Sequence, residues 1–162
     1  MDHGTLDFAI LLQPIDNSKY EHLPLPEASI WGILMKKESE FSQLPAITKE
    51  SLLQMPLILH RRVGLQQNIA DWANTDIEHL HINATYNVVH GSPVSFVKNN
   101  MGYFLLTRDL LSPDLDKSVV FRPLEPQLKV QYNLVWKRRN VFSNAAKLFL
   151  ETVKQAVNYK LS

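Results

Sequence analysis

Cysteine is missing from all 162 residues. That absence removes disulfide scaffolds, thiolate zinc sites, thiol catalysis and iron–sulfur clusters together. Long apolar runs are missing too. Phe8 to Leu12 is apolar, but about five residues are too few for a signal h-region, and a bilayer span needs roughly 20. A soluble protein is expected, cytoplasmic by default and with no membrane partner. Excess charge of either sign is also absent. The 17 Lys and Arg stand against 16 Asp and Glu, a formal +1, which argues against a chain that neutralises many phosphates by itself. There is no GxGxxG, Walker A loop, GxSxG elbow or HExxH, so the common nucleotide and hydrolase signatures fall away. With 45% hydrophobic and 20% charged residues, the composition is that of a globular chain. At about 150 residues per domain it has room for one domain or two small lobes.

Periodicity and breakers supply the elements. Gly4 turns the chain, and Leu6 to Leu12 reads as a strand apolar on both faces, which suits the interior of a parallel sheet. Nothing precedes it to pair with it, as though the chain began mid-fold. Pro24 and Pro26 keep the next segment extended before a strand over Ile30 to Met35. Thr48 caps a short helix bearing Leu52, Leu53 and Met55, which Pro56 ends. Leu57 to His60 is a strand, residues 66–75 a short amphipathic helix with Ile69 and Trp72 on one side, and Glu78 to Ala84 another strand. Thr85 or Asn87 caps a first turn. Ser92 before Pro93 is a strong N-cap, Gly102 ends the helix that follows, and Tyr103 to Leu106 returns as a strand. Val119 to Arg122 and Lys129 to Trp136 are strands, the second turning Lys129, Gln131 and Asn133 outward. Ser143 caps a final helix whose Ala146, Phe149, Leu150, Val153 and Val157 make one stripe. Strands alternate with helices, so the class is α/β with largely parallel pairing.

Few residues suggest chemistry. His79 and His81, two apart on an expected strand, project from one face as a pair of metal ligands would, but no further ligand stands at suitable spacing; a surface pair is the plainer reading and no metal is expected. His60, Arg61 and Arg62 directly follow an expected parallel strand. Ligands of open α/β sheets lie outside the carboxyl ends of strands, where arginine and the next helix N-terminus take an anion such as a carboxylate. The competing reading is a solvated charge pair. Lys137, Arg138 and Arg139 are too few for nucleic-acid binding and read as a solvated turn. Trp31, Trp72 and Trp136 suit a core better than a stacking platform.

Taken in order, LDFAILLQP, WGILMKKESEFS, AITKESLLQMPLIL, MGYFLLTRDLL, VVFRPLEP and LVWKRRNVFSNAAKLFLETVKQ form a series that resembles the C-terminal effector-binding domain of the LysR-type transcriptional regulators, over nearly the whole chain. The resemblance implies an α/β, periplasmic-binding-protein-like (type 2) fold of two lobes joined by crossover strands, with a small-molecule effector in the cleft, no cofactor and no catalysis. It makes residues 1–13 and 119–162 the remnant of lobe one and residues 14–118 lobe two. The winged helix-turn-helix, its linker helix and the opening β-α-β-α part of lobe one are not in this sequence, so lobe one is expected to be incomplete and DNA to be reached only through the missing N-terminal domain. The effector-contact positions it implies are Leu12, Gln13, Trp31, Leu59, His60, Arg61, Asn83, Thr85, Tyr86 and Leu134. Effector binding would favour the closed arrangement and re-orient the DNA-binding arms of a dimer. A shortened lobe one is expected to leave strand edges and apolar patches that drive self-association. A second reading is a solute-binding protein of the same fold, a class that usually carries a signal peptide. A third, an enzyme using His60 or the His79 and His81 pair, has no supporting constellation.

Overall fold

The computed structural model describes residues 6–87 and 93–161. Among them the order is β1 (Phe8–Leu12), β2 (Tyr20–Lys36), α1 (Lys49–Leu52), β3 (Leu57–His60), α2 (Val63–Ala73), β4 (Ile82–Tyr86), α3 (Pro93–Lys98), β5 (Tyr103–Thr107), β6 (Val119–Pro123), β7 (Lys129–Lys137) and α4 (Asn144–Leu161), with short 3-10 turns at Glu40–Gln43, Ile77–His79 and Arg108–Leu110. The chain forms two compact units, one from residues 1–28 and 130–162 and the other from residues 29–129.

In the first unit β7 lies between β1 and the early part of β2, and β1 pairs with it antiparallel from Phe8↔Trp136 to Leu12↔Tyr132. Leu134, Trp136 and Leu150 form the core here, with Phe8, Leu23, Leu25, Phe142 and Val153 packed on them. The Ser143 hydroxyl accepts the Ala146 N–H at 3.2 Å, so the expected cap opens α4. Ala146, Leu150 and Val157 are buried, whereas Phe149 is half-exposed and rests on Phe8 at 5.1 Å between ring centroids. Two expectations change. β1 is an antiparallel strand at the end of the strand order and not an interior parallel one, and Ile10 on its outer face is 61% exposed. Asn133 points inward: it is fully buried, its Nδ2 donates to the Gln131 carbonyl at 3.2 Å, and its Oδ1 has no partner among the described residues. Alternation along β7 is broken because Asn133, Leu134, Val135 and Trp136 are buried in succession.

The second unit holds the larger core. Its sheet runs β6, β2, β5, β3, β4. β2 pairs antiparallel with β5 (Trp31↔Thr107 to Leu34↔Phe104) and with β6 (Gly32↔Pro123 to Lys36↔Val119). Parallel pairing joins β3 with β4 and β3 with β5, and an isolated parallel bridge links Ile47 to Leu124. The largely parallel sheet expected from alternation is thus a mixed one: β3-α2-β4-α3-β5 supplies the helical crossovers that parallel neighbours require, whereas β2, though joined to β3 through α1, pairs with β5 and β6 instead. A buried cluster of Leu34, Ile58, Val97, Phe104, Leu106 and Val119 fills one side. Thr48 caps α1 as expected, accepting the Ser51 N–H at 3.3 Å.

Three local expectations move. The strand expected over residues 78–84 is a 3-10 turn at Ile77–His79 followed by β4, and Thr85 is a strand residue rather than a cap. Asn100, at φ 58°, takes the left-handed position after α3, while Gly102, at φ 141°, leads into β5. The expected Gly4 turn and Ser92 cap lie outside the described residues. No helix of the described residues is long and apolar enough to cross a membrane.

Candidate functional site

The crossover order fixes where a ligand edge can form. From β3 the chain passes through α2 to β4 on one side, then through α3 to β5 on the other. β3 thus exits toward β4, while its parallel neighbour β5 exits the other way, toward β6 beyond β2, and in open α/β sheets ligands bind at the carboxyl ends of adjacent strands whose connections diverge like this. His60 is the last residue of β3, Thr107 the last of β5 and Tyr86 the last of β4. The antiparallel register of β2 brings Trp31 opposite Thr107, so Trp31, Leu59, His60, Arg61, Thr85 and Tyr86 share one end of one sheet.

His60 is the most constrained of these. Its ring stands edge-on to Tyr86, 5.3 Å between centroids, and Tyr86 is stacked on Phe104 at 4.8 Å and donates its hydroxyl to the Leu105 carbonyl at 3.1 Å. The Arg62 N–H donates to His60 Nδ1 at 3.0 Å, and Gln66 Nε2 donates to the His60 carbonyl at 3.0 Å. Nδ1 is therefore the acceptor nitrogen, and the hydrogen-bond pattern assigns the remaining proton to Nε2. Burial pushes the His60 pKa down, the positive charges of Arg62 and then Arg61 push it further, and a hydrogen bond from the ring to the Asn87 backbone opposes them in part. The ring is biased toward its neutral form, with Nδ1 on the Arg62 N–H and the ring N–H on the Asn87 backbone.

Arg61 is held by its backbone and presents its side chain. Its N–H donates to the Tyr86 carbonyl at 2.8 Å, extending the β3–β4 ladder by one bond, and the residue is exposed. Burial lowers the pKa of the half-buried Arg62 guanidinium; arginine nonetheless stays charged in proteins. Val63 and Gly64 then open α2, where the first N–H groups have no acceptor within the helix. One end of the sheet thus offers the exposed Arg61 guanidinium, with no ion pair among the described residues, and helix N–H groups, a donor set matched to a small anion.

The other expected positions divide. Trp31 and Leu59 are buried. Trp31 is fixed through its backbone, donating to Leu128 at 2.9 Å and accepting from Leu124 at 3.1 Å, so it shapes the edge rather than offering a face. Thr85 is exposed opposite Leu59. Asn83 is not gathered with these: it lies three residues before Tyr86, and its Nδ2 donates to the Met101 carbonyl at 2.6 Å. Leu12, Gln13 and Leu134 belong to the other unit, where Leu12 pairs with Tyr132, Gln13 donates its N–H to Gln131 at 3.3 Å and Leu134 is buried.

Sequence reasoning missed Gln66 and Thr107, both buried. Gln66 gave a weak signal, being a polar residue on the side of α2 that carries Ile69 and Ala70. The His79 and His81 pair loses its strand geometry, since His79 ends a 3-10 turn with its side chain 71% exposed and 3.9 Å from Asp76.

The sequence model of the LysR substrate binding domain matches residues 1–158. The chain belongs to the LysR substrate-binding-domain family. A curated relative, the uncharacterized HTH-type transcriptional regulator YvbU of Bacillus subtilis, is 27% identical over 152 residues, covering 93% of this chain and 50% of the relative. This LysR-family chain therefore spans half the length of that relative. Among solved structures it resembles HinK, a LysR family transcriptional regulator from Pseudomonas aeruginosa, with a TM-score of 0.70 at 18% identity over 96% of this chain and 55% of HinK. It also resembles the CcmR regulatory domain of Synechocystis PCC6803 in complex with 2-PG, with a TM-score of 0.68 at 13% identity over 97% of this chain and 76% of that one. The fold expected from the resemblance, an α/β effector-binding domain of the periplasmic-binding-protein-like type, is the fold observed, with a mixed sheet in place of a largely parallel one. The LysR family is one of transcriptional regulators, and these matches do not favour a solute-binding protein.

Proposed function

We propose that this chain senses a small carboxylate or similar anion at the carboxyl ends of β3, β4 and β5, without catalysing a reaction. The observation that carries the reading is the placement of Arg61, exposed and held by its N–H on the Tyr86 carbonyl at 2.8 Å, directly before the N-terminus of α2. Arg61 takes the carboxylate bidentately, the first N–H groups of α2 complete its shell, His60 positions that turn through Nδ1, and Tyr86 bounds the apolar part. Leu12, Gln13, Asn83, Thr85 and Leu134 are kept as effector contacts on the family resemblance alone. The lobe assignment, residues 1–13 with 119–162 and residues 14–118, belongs to the same proposal. In a cytoplasmic regulator of the relatives' length, ligand binding shifts a conformational equilibrium by its differential affinity for two arrangements and so reaches a DNA-binding segment outside these 162 residues. A domain of this family solved with 2-PG supports a small ligand.

The test is thermal stabilisation and calorimetry with a panel of small aliphatic and aromatic carboxylates. At least one raises the melting temperature, and Arg61→Gln weakens that ligand by about 10–100-fold, the worth of a charge-assisted hydrogen bond. Binding that ignores Arg61→Gln and His60→Ala, or no binding across the panel, counts against the proposal.

Self-association is part of the same reading. Ile10, Leu148 and Phe149 leave apolar surface exposed in the first unit, and β1 stands at the end of the strand order. Light scattering is expected to show a concentration-dependent mass that Ile10→Lys reduces; a monomer at every concentration contradicts it.

A further inference from the structure

The opposite end of the second unit's sheet carries a separate pocket of about 380 Å³, lined by Met35, Lys36, Glu38, Pro56, Val97 and Tyr103 with Ser39, Asn100 and Gly102. Its volume falls in the roughly 300–1,000 Å³ range of small-molecule sites. Lys36 ends β2, Pro56 precedes β3 and Tyr103 begins β5, so the pocket faces away from His60 along the strands and does not depend on the reading given above.

The floor is apolar and rigid. Met35 and Val97 are buried, and the backbone of Gly102 comes so close to Pro56 that a Cβ there would lie 2.6 Å from the Pro56 carbonyl oxygen. That close approach, together with the Tyr103 N–H donated to the same carbonyl at 2.8 Å, seals the base between β3 and β5. The rim is polar and held in place. The hydroxyls of Ser39 and Tyr103 are 2.9 Å apart, and the Tyr103 ring is braced edge-on by Phe41 at 5.7 Å. The loop carrying Ser39 is itself pinned, the Lys37 N–H donating to Ser118 at 2.9 Å and the Ser42 hydroxyl to Lys37 at 2.6 Å. On this rim stand one cation, Lys36, and one anion, Glu38, neither of them in an ion pair among the described residues.

A positive and a negative side chain beside paired hydroxyls, over an apolar floor, make a complement to a small zwitterion with an apolar tail. We propose that this pocket binds a free α-amino acid of the leucine or methionine kind. Its carboxylate lies on Lys36 and the Ser39 and Tyr103 hydroxyls, its ammonium on Glu38, and its side chain on Met35, Pro56 and Val97. The juxtaposition selects against molecules that lack either charge, because the unmatched group on the rim is then partly desolvated without a partner.

The experiment is NMR titration of the 162-residue chain with L-leucine, leucinamide and N-acetyl-L-leucine. L-leucine is expected to shift amides around residues 35–39 and 97–103 and to saturate. Leucinamide, without the carboxylate, and N-acetyl-L-leucine, without the ammonium, each bind about tenfold more weakly or worse. Lys36→Gln weakens L-leucine at this pocket by about 10–100-fold while Lys36→Arg retains binding. Melting curves of the Lys36 variants confirm that they are folded. The proposal is overturned if L-leucine shows no saturation by about 10 mM, if its shifts centre on His60 and Arg61, or if folded Lys36→Gln binds it as tightly as the parent.

Discussion

His60 shows how a single side chain turns local geometry into pH dependence. Its pKa in the folded chain lies below the ordinary value, from burial first and the two arginine charges after, so the unfolded chain binds the proton more readily. The resulting stability is present in full above the unfolded pKa of about 6.5 and is lost as pH falls from there toward the folded value. Between pH 7 and pH 5 the parent should therefore lose more stability than His60→Gln in denaturant melts at matched pH; equal losses would show that burial and Arg62 do not act on this ring. The site around it was legible only in part. LILHRR announced a strand end with cations, because the charged residues that follow the apolar run are also the ones that stop the strand. Gln66 and Thr107 left almost no sequence signal, since a polar side chain satisfied inside a core looks like any surface Gln or Thr.

At the scale of elements, β2 is the member on which the second unit is assembled, with β5 on one edge and β6 on the other. Gly32 allows this. A Cβ there would sit 2.2 Å from the Phe121 ring and 2.5 Å from the Arg122 carbonyl oxygen, and while a ring can turn aside, a paired backbone cannot. Gly32→Ala is expected to cost about 1–3 kcal/mol, the range for overpacking, read as a lower urea midpoint at unchanged slope. No shift would mean that β6 yields freely. The strand was visible in the sequence from Ile30 to Met35, where apolar residues run together. Its early half, with Pro24 and Pro26 among Glu and His, lacks that signal and becomes strand through its neighbour: Gln131 Nε2 donates to the Leu25 carbonyl, and Trp136 Nε1 donates to Glu21 at 3.0 Å. Parallel pairing was over-expected for a related reason, as alternation reveals which segments are helices but not whether a helix joins neighbouring strands.

For the molecule as a whole, burial is uneven. The largest fully buried side chains, among them Ile33, Leu34, Met35, Leu57, Ile58 and Leu105, all fall within residues 29–129. Local opening is easiest where buried apolar contact is sparse, so native-state hydrogen exchange should be slowest in β3, β5 and the late part of β2, with α4 and β1 exchanging at lower free energy. Uniform protection across both units would contradict that division. The family was legible because its order of short segments survives where identity with solved relatives is below 20%; the ligand was not, because it depends on a few rim side chains. The placement of β2 also bears on synthesis at the ribosome. Its partners in β5 and β6 are encoded roughly 70–90 residues later, and at about 5–20 residues per second the nascent Ile30–Met35 stretch stays without a ladder for on the order of ten seconds. During that interval it offers a sticky tract to trigger-type chaperones, and a pause placed before the codons of β6 would lengthen the exposure.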